Sequence, residues 1–158
     1  MTPMGQLPSR TLVIGVGNPY RGDDGVGPEV AARLRASGPV GVEVLEYDGD
    51  PVGLLDLWDD ADLVVVVDAV QSHRRAPGQV HRIEVDREAE LKLTPAVSSH
   101  GVGPGHAVEL ARVLGRMPRR LVLYGVEGTA FSPSVHLSPE VEASVAAIVE
   151  RISAEVAG

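Results

Sequence analysis

Cysteine is absent from all 158 residues. That excludes a thiol nucleophile, a thiolate zinc site, an iron–sulfur cluster and a disulfide framework. Basic charge is also scarce, with 14 Lys and Arg against 22 Asp and Glu and a net charge of −8. A nucleic-acid partner would ordinarily need a basic face, so this balance argues against one. Long hydrophobic runs are missing too. Leu12 to Val16 is interrupted at once by Gly17, Asn18 and Pro19, and Leu63 to Val67 ends on Asp68. Neither run is long enough for a signal-peptide core or a membrane span, and the chain is read as soluble and cytoplasmic. What remains is an ordinary globular balance of 44% hydrophobic and 23% charged residues. A chain of this size buries roughly 70% of its unfolded surface and needs no covalent staple.

The hydrophobic pattern predicts an α/β fold, with β-branched runs alternating with helical periodicity. The expected architecture is three layers, α/β/α, around a twisted, mixed and mostly parallel sheet of about five strands. Residues 1–10 hold two prolines and a glycine and are expected to be irregular. Residues 11–158 are expected to form a single domain. Strands are predicted at Thr11–Val16, Val42–Tyr47, Asp62–Ala69, Gln79–Val85 and Arg120–Val126. The first does not alternate in polarity, as a strand buried on both faces should not. Helices are predicted at Pro28–Ala36, around Val52–Trp58, at His106–Gly115 and after Ser138 and Pro139, which read as a cap. Val141, Val145, Ile148, Val149, Ile152 and Val156 give the last helix an apolar face. Only nine residues, Val70 to Gly78, link the third and fourth predicted strands. That is too few for a helical crossover, so the fourth should run antiparallel near an edge.

Open α/β sheets bind ligands beyond the carboxyl ends of their strands, where strand order reverses. Asp23 and Asp24 follow the first strand, Asp68 closes the third, and His100 lies in the loop Thr94 to Gly103. If strands one and three are neighbours, Asp24, Asp68 and His100 overlook one crevice. Two carboxylates and an imidazole suffice for a three-ligand metal site with open positions. Each residue also has an ordinary reading. Asp23 or Asp24 could cap the following helix, Asp68 could end a strand, and His100 could be a loop histidine. A carboxylate placed directly after a buried valine run is costly unless paired, which favours a functional role for Asp68. The other histidines point elsewhere: His106 to the solvated side of its helix, His73 to a basic loop with Arg74 and Arg75, His81 to a strand and His136 to a loop.

Neither a His-Glu-x-x-His zinc motif nor a Gly-x-Ser-x-Gly nucleophile elbow occurs. Gly15-Val16-Gly17, with Asp48 ending the second strand, has the outline of a dinucleotide fingerprint. Its third glycine position is Tyr20, and Asp23 and Asp24 put negative charge where a pyrophosphate would lie.

Taken together, these segments resemble the hydrogenase maturation endopeptidases, which process the large subunit of nickel–iron hydrogenases. The resemblance is carried by Ile14-Gly15-Val16-Gly17-Asn18-Pro19, Gly22-Asp23-Asp24-Gly25-Val26-Gly27, Val67-Asp68-Ala69 and Ser98-Ser99-His100. It continues through Leu123-Tyr124-Gly125-Val126-Glu127 and Leu137-Ser138-Pro139-Glu140-Val141. It implies an endopeptidase of aspartic type whose nickel-recognising residues are Asp24, Asp68 and His100. The implied substrate is a [NiFe]-hydrogenase large-subunit precursor already loaded with nickel, from which a short carboxyl-terminal extension is removed. Nickel would then be presented by the precursor, not held permanently by the enzyme. A non-proteolytic metal-binding maturation factor and a nucleotide-binding oxidoreductase are the competing expectations.

Overall fold

A computed structural model of the chain describes residues 10–48, 50–71, 76–85 and 104–157. Its five strands are β1 (Thr11–Val16), β2 (Val42–Tyr47), β3 (Leu63–Val70), β4 (Val80–Val85) and β5 (Arg120–Glu127). Four helices accompany them among the described residues: α1 (Val26–Ser37), α2 (Pro51–Trp58), α3 (Pro104–Leu114) and α4 (Pro139–Ala157). A single 3-10 turn, Gly22–Gly25, precedes α1.

The strands form one sheet in the order β2-β1-β3-β5-β4. The pairs β1–β2, β1–β3 and β3–β5 are parallel, and β4 closes one edge antiparallel to β5. The edge position and direction of β4 are those expected from its short link to β3. Along β3, buried side chains alternate between two apolar layers, as the two-residue period of a strand requires. Val65 and Val67 meet α1 and α4 through Val30, Leu34, Val145 and Ile148. Val64 and Val66 meet the opposite layer, where Leu55, Trp58, Ala107 and Ala111 come from α2 and α3. All four valines are essentially inaccessible to solvent, and each contributes about 1.5–3 kcal/mol of burial. This makes β3 the anchor of the sheet.

Helix boundaries follow local chemistry. The side chain of Asp50 accepts from the Gly53 N–H at 2.8 Å and Pro51 opens α2, a capped start. α1 begins at Val26, two residues before the predicted Pro28, which therefore stands third in the first turn. A proline is tolerated there because the first four helical N–H groups have no partner inside the helix. The last helix starts at Pro139 as expected, with Ser138 at its N-cap position and its hydroxyl turned to a second partner. The hydroxyl donates to the Asp23 carboxylate at 2.9 Å. The carbonyl of Ser138 accepts the first helical bond, from the Glu142 N–H at 2.9 Å.

Candidate active site

The chain leaves β1 towards α1 and β2 on one side, and β3 lies on the other side. The gap between the carboxyl ends of β1 and β3 is the point where strand order reverses. Two of the three candidate residues meet there. Asp24 sits in the 3-10 turn after β1. Asp68 lies within β3, two residues before its end, beside Gly125 of β5. β1 stops pairing at Val67 of β3, so Asp68 is the first β3 residue past the end of its neighbour. By alternation with Val64 and Val66 its side chain belongs to the face covered by α2 and α3.

Backbone geometry brings the Asp24 turn close to the sheet. Gly27 Cα faces the carbonyls of Val16 and Val67, and a Cβ there would lie 2.4 and 2.5 Å from them. Only glycine allows α1 to start this close to β1 and β3. Gly17 adopts φ +140°, and a Cβ on it would lie 1.9 Å from the Asp24 carbonyl oxygen. These are the physical reasons for two of the glycines in the motif around Asn18.

The two adjacent aspartates do different things. Asp23 is wholly buried. Its Oδ2 accepts from Thr129 N at 2.8 Å, Ala130 N at 3.0 Å and the Ser138 hydroxyl, while Oδ1 accepts from Ser138 N at 2.7 Å. Burial alone would raise its pKa, but these bonds from Thr129, Ser138 and Ala130 outweigh it and hold the carboxyl below the usual range. Asp24 is half-buried, and its Oδ2 accepts from the Asn18 N–H at 2.9 Å. Neither aspartate caps a helix: no side-chain cap bond is made at the start of the 3-10 turn or of α1. The helix-cap reading of both residues is thereby removed. The Asn18 amide, which a phosphate-binding loop would leave for its ligand, is occupied by Asp24.

Asp68 is in the opposite electrostatic state. Burial, reinforced by the negative charge of Asp24, pushes its carboxyl well above the usual range against a bond from the Ala69 N–H. The residue keeps partial exposure at the rim while protein closely surrounds its carboxyl. Two carboxylates that interact in this way favour a cation or a shared proton between them.

His100 and its loop, Thr94 to Gly103, lie outside the described residues, as does the basic stretch His73 to Arg75. Among the described residues no group of three His, Cys, Asp or Glu side chains is placed to hold a metal ion. His100 stands four residues before Pro104 in the sequence. α3 reaches β5 through residues 115–119, and its far end is tied to α2 by Arg116 with Asp56 and Asp59. The first turn of α3 therefore faces the carboxyl ends of the parallel strands, on the same side of the sheet as Asp68.

Comparison with known proteins decides among the readings. A family model described as hydrogenase maturation protease (HycI) matches residues 28–155. The chain belongs to the hydrogenase maturation protease family. The matched span contains Asp68 and His100, and Asp24 precedes it. The protease is 33% identical over 149 residues to the hydrogenase 2 maturation protease of Escherichia coli K12, covering 92% of this chain and 89% of that protein. Its fold matches the hydrogenase maturating endopeptidase HybD of E. coli with a TM-score of 0.70 and 28% identity, covering 90% and 89% of the two chains. A hydrogenase 2 maturation peptidase from a Thaumarchaeota archaeon superposes with a TM-score of 0.68, at 28% identity over 94% and 99% of the chains.

Three polar features of the protease departed from or lay beyond the sequence reading. His106, expected on a solvated face, is half-buried, and its Nε2 is enclosed with no hydrogen-bond partner among the described residues. Glu127 is 1% exposed at the end of β5, and its Oε1 lies within hydrogen-bond distance of His81 Nε2 at 3.1 Å. The third is the burial of Asp23. Its partners lie more than 100 positions away, beyond the reach of any local pattern.

Proposed function

We propose that the protease removes a short carboxyl-terminal extension from a nickel-loaded [NiFe]-hydrogenase large-subunit precursor. Asp24, Asp68 and His100 are the residues proposed to recognise the nickel that the precursor carries. The observation that carries this reading is the pairing of Asp24 with Asp68 at the strand switch point. Desolvation and like charge make an ionised Asp68 costly there, and a cation arriving with the substrate relieves both costs. The chemistry of the set also fits nickel, for which imidazole and oxygen ligands are suitable. With no cysteine in this chain, any thiolates around the metal come from the precursor.

In this proposal the carboxylates and the imidazole fix the nickel centre and so position the scissile peptide. A water adds to the scissile carbonyl carbon, the C–N bond breaks, and the leaving nitrogen gains a proton. A carboxylate of the site takes the proton from the attacking water. Residence in the cytoplasm belongs to the same proposal. No helix among the described residues is long and apolar enough to cross a membrane.

Cleavage of nickel-loaded precursor by Asp24→Asn, Asp68→Asn and His100→Ala tests the assignment. The expected result is loss of processing in all three while each remains folded. Processing near the wild-type rate by all three folded variants refutes it.

A further inference from the structure

We propose that Asp23 is the positioning residue for Asp24, clasping the turn that carries Asp24 to the loop between β5 and α4. The inference rests on the assignment of Asp24 to the site. Asp23 and Asp24 are consecutive in a 3-10 turn, where neighbouring side chains project about 120° apart. One of the pair therefore faces away when the other faces the crevice. Asp23 faces residues 129–138, and every hydrogen bond described for its carboxylate goes to that segment.

The clasp is two-sided. The Asp23 N–H donates to the Ala130 carbonyl at 2.7 Å and the Gly22 N–H to the Ser134 carbonyl at 2.9 Å. In return, the Ser134 N–H donates to the Tyr20 carbonyl at 3.0 Å. The two segments approach so closely that a Cβ on Gly128 would lie 2.9 Å from the Asp23 Cβ. The chemistry demands a carboxylate. Three backbone N–H groups and one hydroxyl converge on two oxygens, and only an ionised acid offers acceptors on both. An asparagine has the same shape but turns an NH2 towards at least one of those donors. By contrast, Asp24 has one described side-chain bond, to Asn18 N, and owes its orientation to the turn. A ligand-positioning carboxylate is useful only when held to about 0.5 Å, and the second residue of the pair supplies that restraint.

The test combines hydrogen exchange with processing of nickel-loaded precursor in Ser138→Ala, Ser138→Thr, Asp23→Asn and Asp24→Asn. The Asn18 amide reports the placement of Asp24, because it donates to Asp24 Oδ2. The Val65 amide, in the buried core of β3, reports global stability. Ser138→Ala removes one charge-assisted bond, and about a tenfold rise in Asn18 exchange is expected, with Val65 exchange rising by no more than the same factor because the bond is also lost in global unfolding. A fall of about tenfold in kcat/KM accompanies it, and Ser138→Thr, which keeps the hydroxyl, restores both. Asp23→Asn moves both readouts in the same direction. Ser138→Ala is the variant that keeps the test decisive if Asp23→Asn does not fold. Wild-type Asn18 exchange or wild-type kcat/KM in folded Ser138→Ala overturns the proposal. If Asp24→Asn is inactive under that outcome, only the positioning role falls. Wild-type processing by Asp24→Asn overturns the assignment of Asp24 to the site and the positioning role together.

Discussion

Gly27→Ala sets two opposed effects against each other. In an exposed helix, alanine for glycine gains about 1 kcal/mol of propensity, and burying a methyl adds about 0.8 kcal/mol. At Gly27 the new Cβ would lie 2.4 Å from the Val16 oxygen, 2.5 Å from the Val67 oxygen and 2.7 Å from the Val16 nitrogen. All three are backbone atoms of strands in the sheet, and none can swing aside. α1 must retreat by about 1 Å to restore ordinary contact, and a gap of that size forfeits a quarter to a half of the contact energy. The helix buries Val26, Val30, Ala31 and Leu34, together worth roughly 6–10 kcal/mol. Losing a quarter of that, with about 1–3 kcal/mol of overpacking strain, exceeds the gain by about 1–4 kcal/mol. For a domain of this size the midpoint of thermal unfolding falls by about 2–16 °C.

Gly53→Ala in α2 is the control. Its Cβ would meet the Tyr47 hydroxyl, the far end of a side chain that can rotate away, and the net change stays within about 1 kcal/mol. Thermal and urea unfolding of both variants, followed by far-UV circular dichroism, measures the contrast. A Gly27→Ala protein as stable as wild type would refute the argument that backbone proximity, not helix propensity, fixes glycine at this position.

Other consequences are equally open to measurement. Asp23→Ala leaves three N–H groups and a hydroxyl without their acceptor and costs about 3–5 kcal/mol in urea unfolding at neutral pH. Because the Asp23 carboxyl is held below its ordinary value of 3.8, its contribution is present above that pH. It is lost as pH falls through the lower folded value, so the wild-type and Asp23→Ala stabilities converge in acid. Asp68 has the reverse sign. Its raised pKa costs stability as pH rises above the ordinary 3.8, so Asp68→Asn unfolds at higher temperature than wild type at neutral pH while losing processing. The difference disappears below that pH. A less stable Asp68→Asn at neutral pH would contradict the burial of an uncompensated carboxyl.

Much of this fold is legible from local pattern because its strands are short, unbroken and β-branched. β1 and β2 end where the runs Thr11–Val16 and Val42–Tyr47 end. The antiparallel edge strand β4 follows from counting linker residues, since nine cannot carry a helix across the sheet. Asp24 and Asp68 could be named because each terminates or follows an apolar run, a position that physical chemistry makes conspicuous. Asp23 could not be separated from Asp24 by the same logic. Their difference lies in the donors of Thr129, Ala130 and Ser138, which only the folded chain brings near. Ser138 is alike: its local signal gives the helix start, while the distant carboxylate that its hydroxyl reaches lies outside any local pattern. His106 shows the limit of helical periodicity, which places a side chain on a face but does not tell how deeply a neighbouring layer covers it.

The mass of the precursor reads out the proposed proteolysis by Asp24, Asp68 and His100 without an intermediate assay. Nickel-loaded large-subunit precursor is incubated with the protease and weighed intact by mass spectrometry. The expected result is a loss equal to one short carboxyl-terminal peptide, with that peptide recovered, and no loss with Asp68→Asn. A precursor of unchanged mass after incubation with the folded wild-type protein would contradict it.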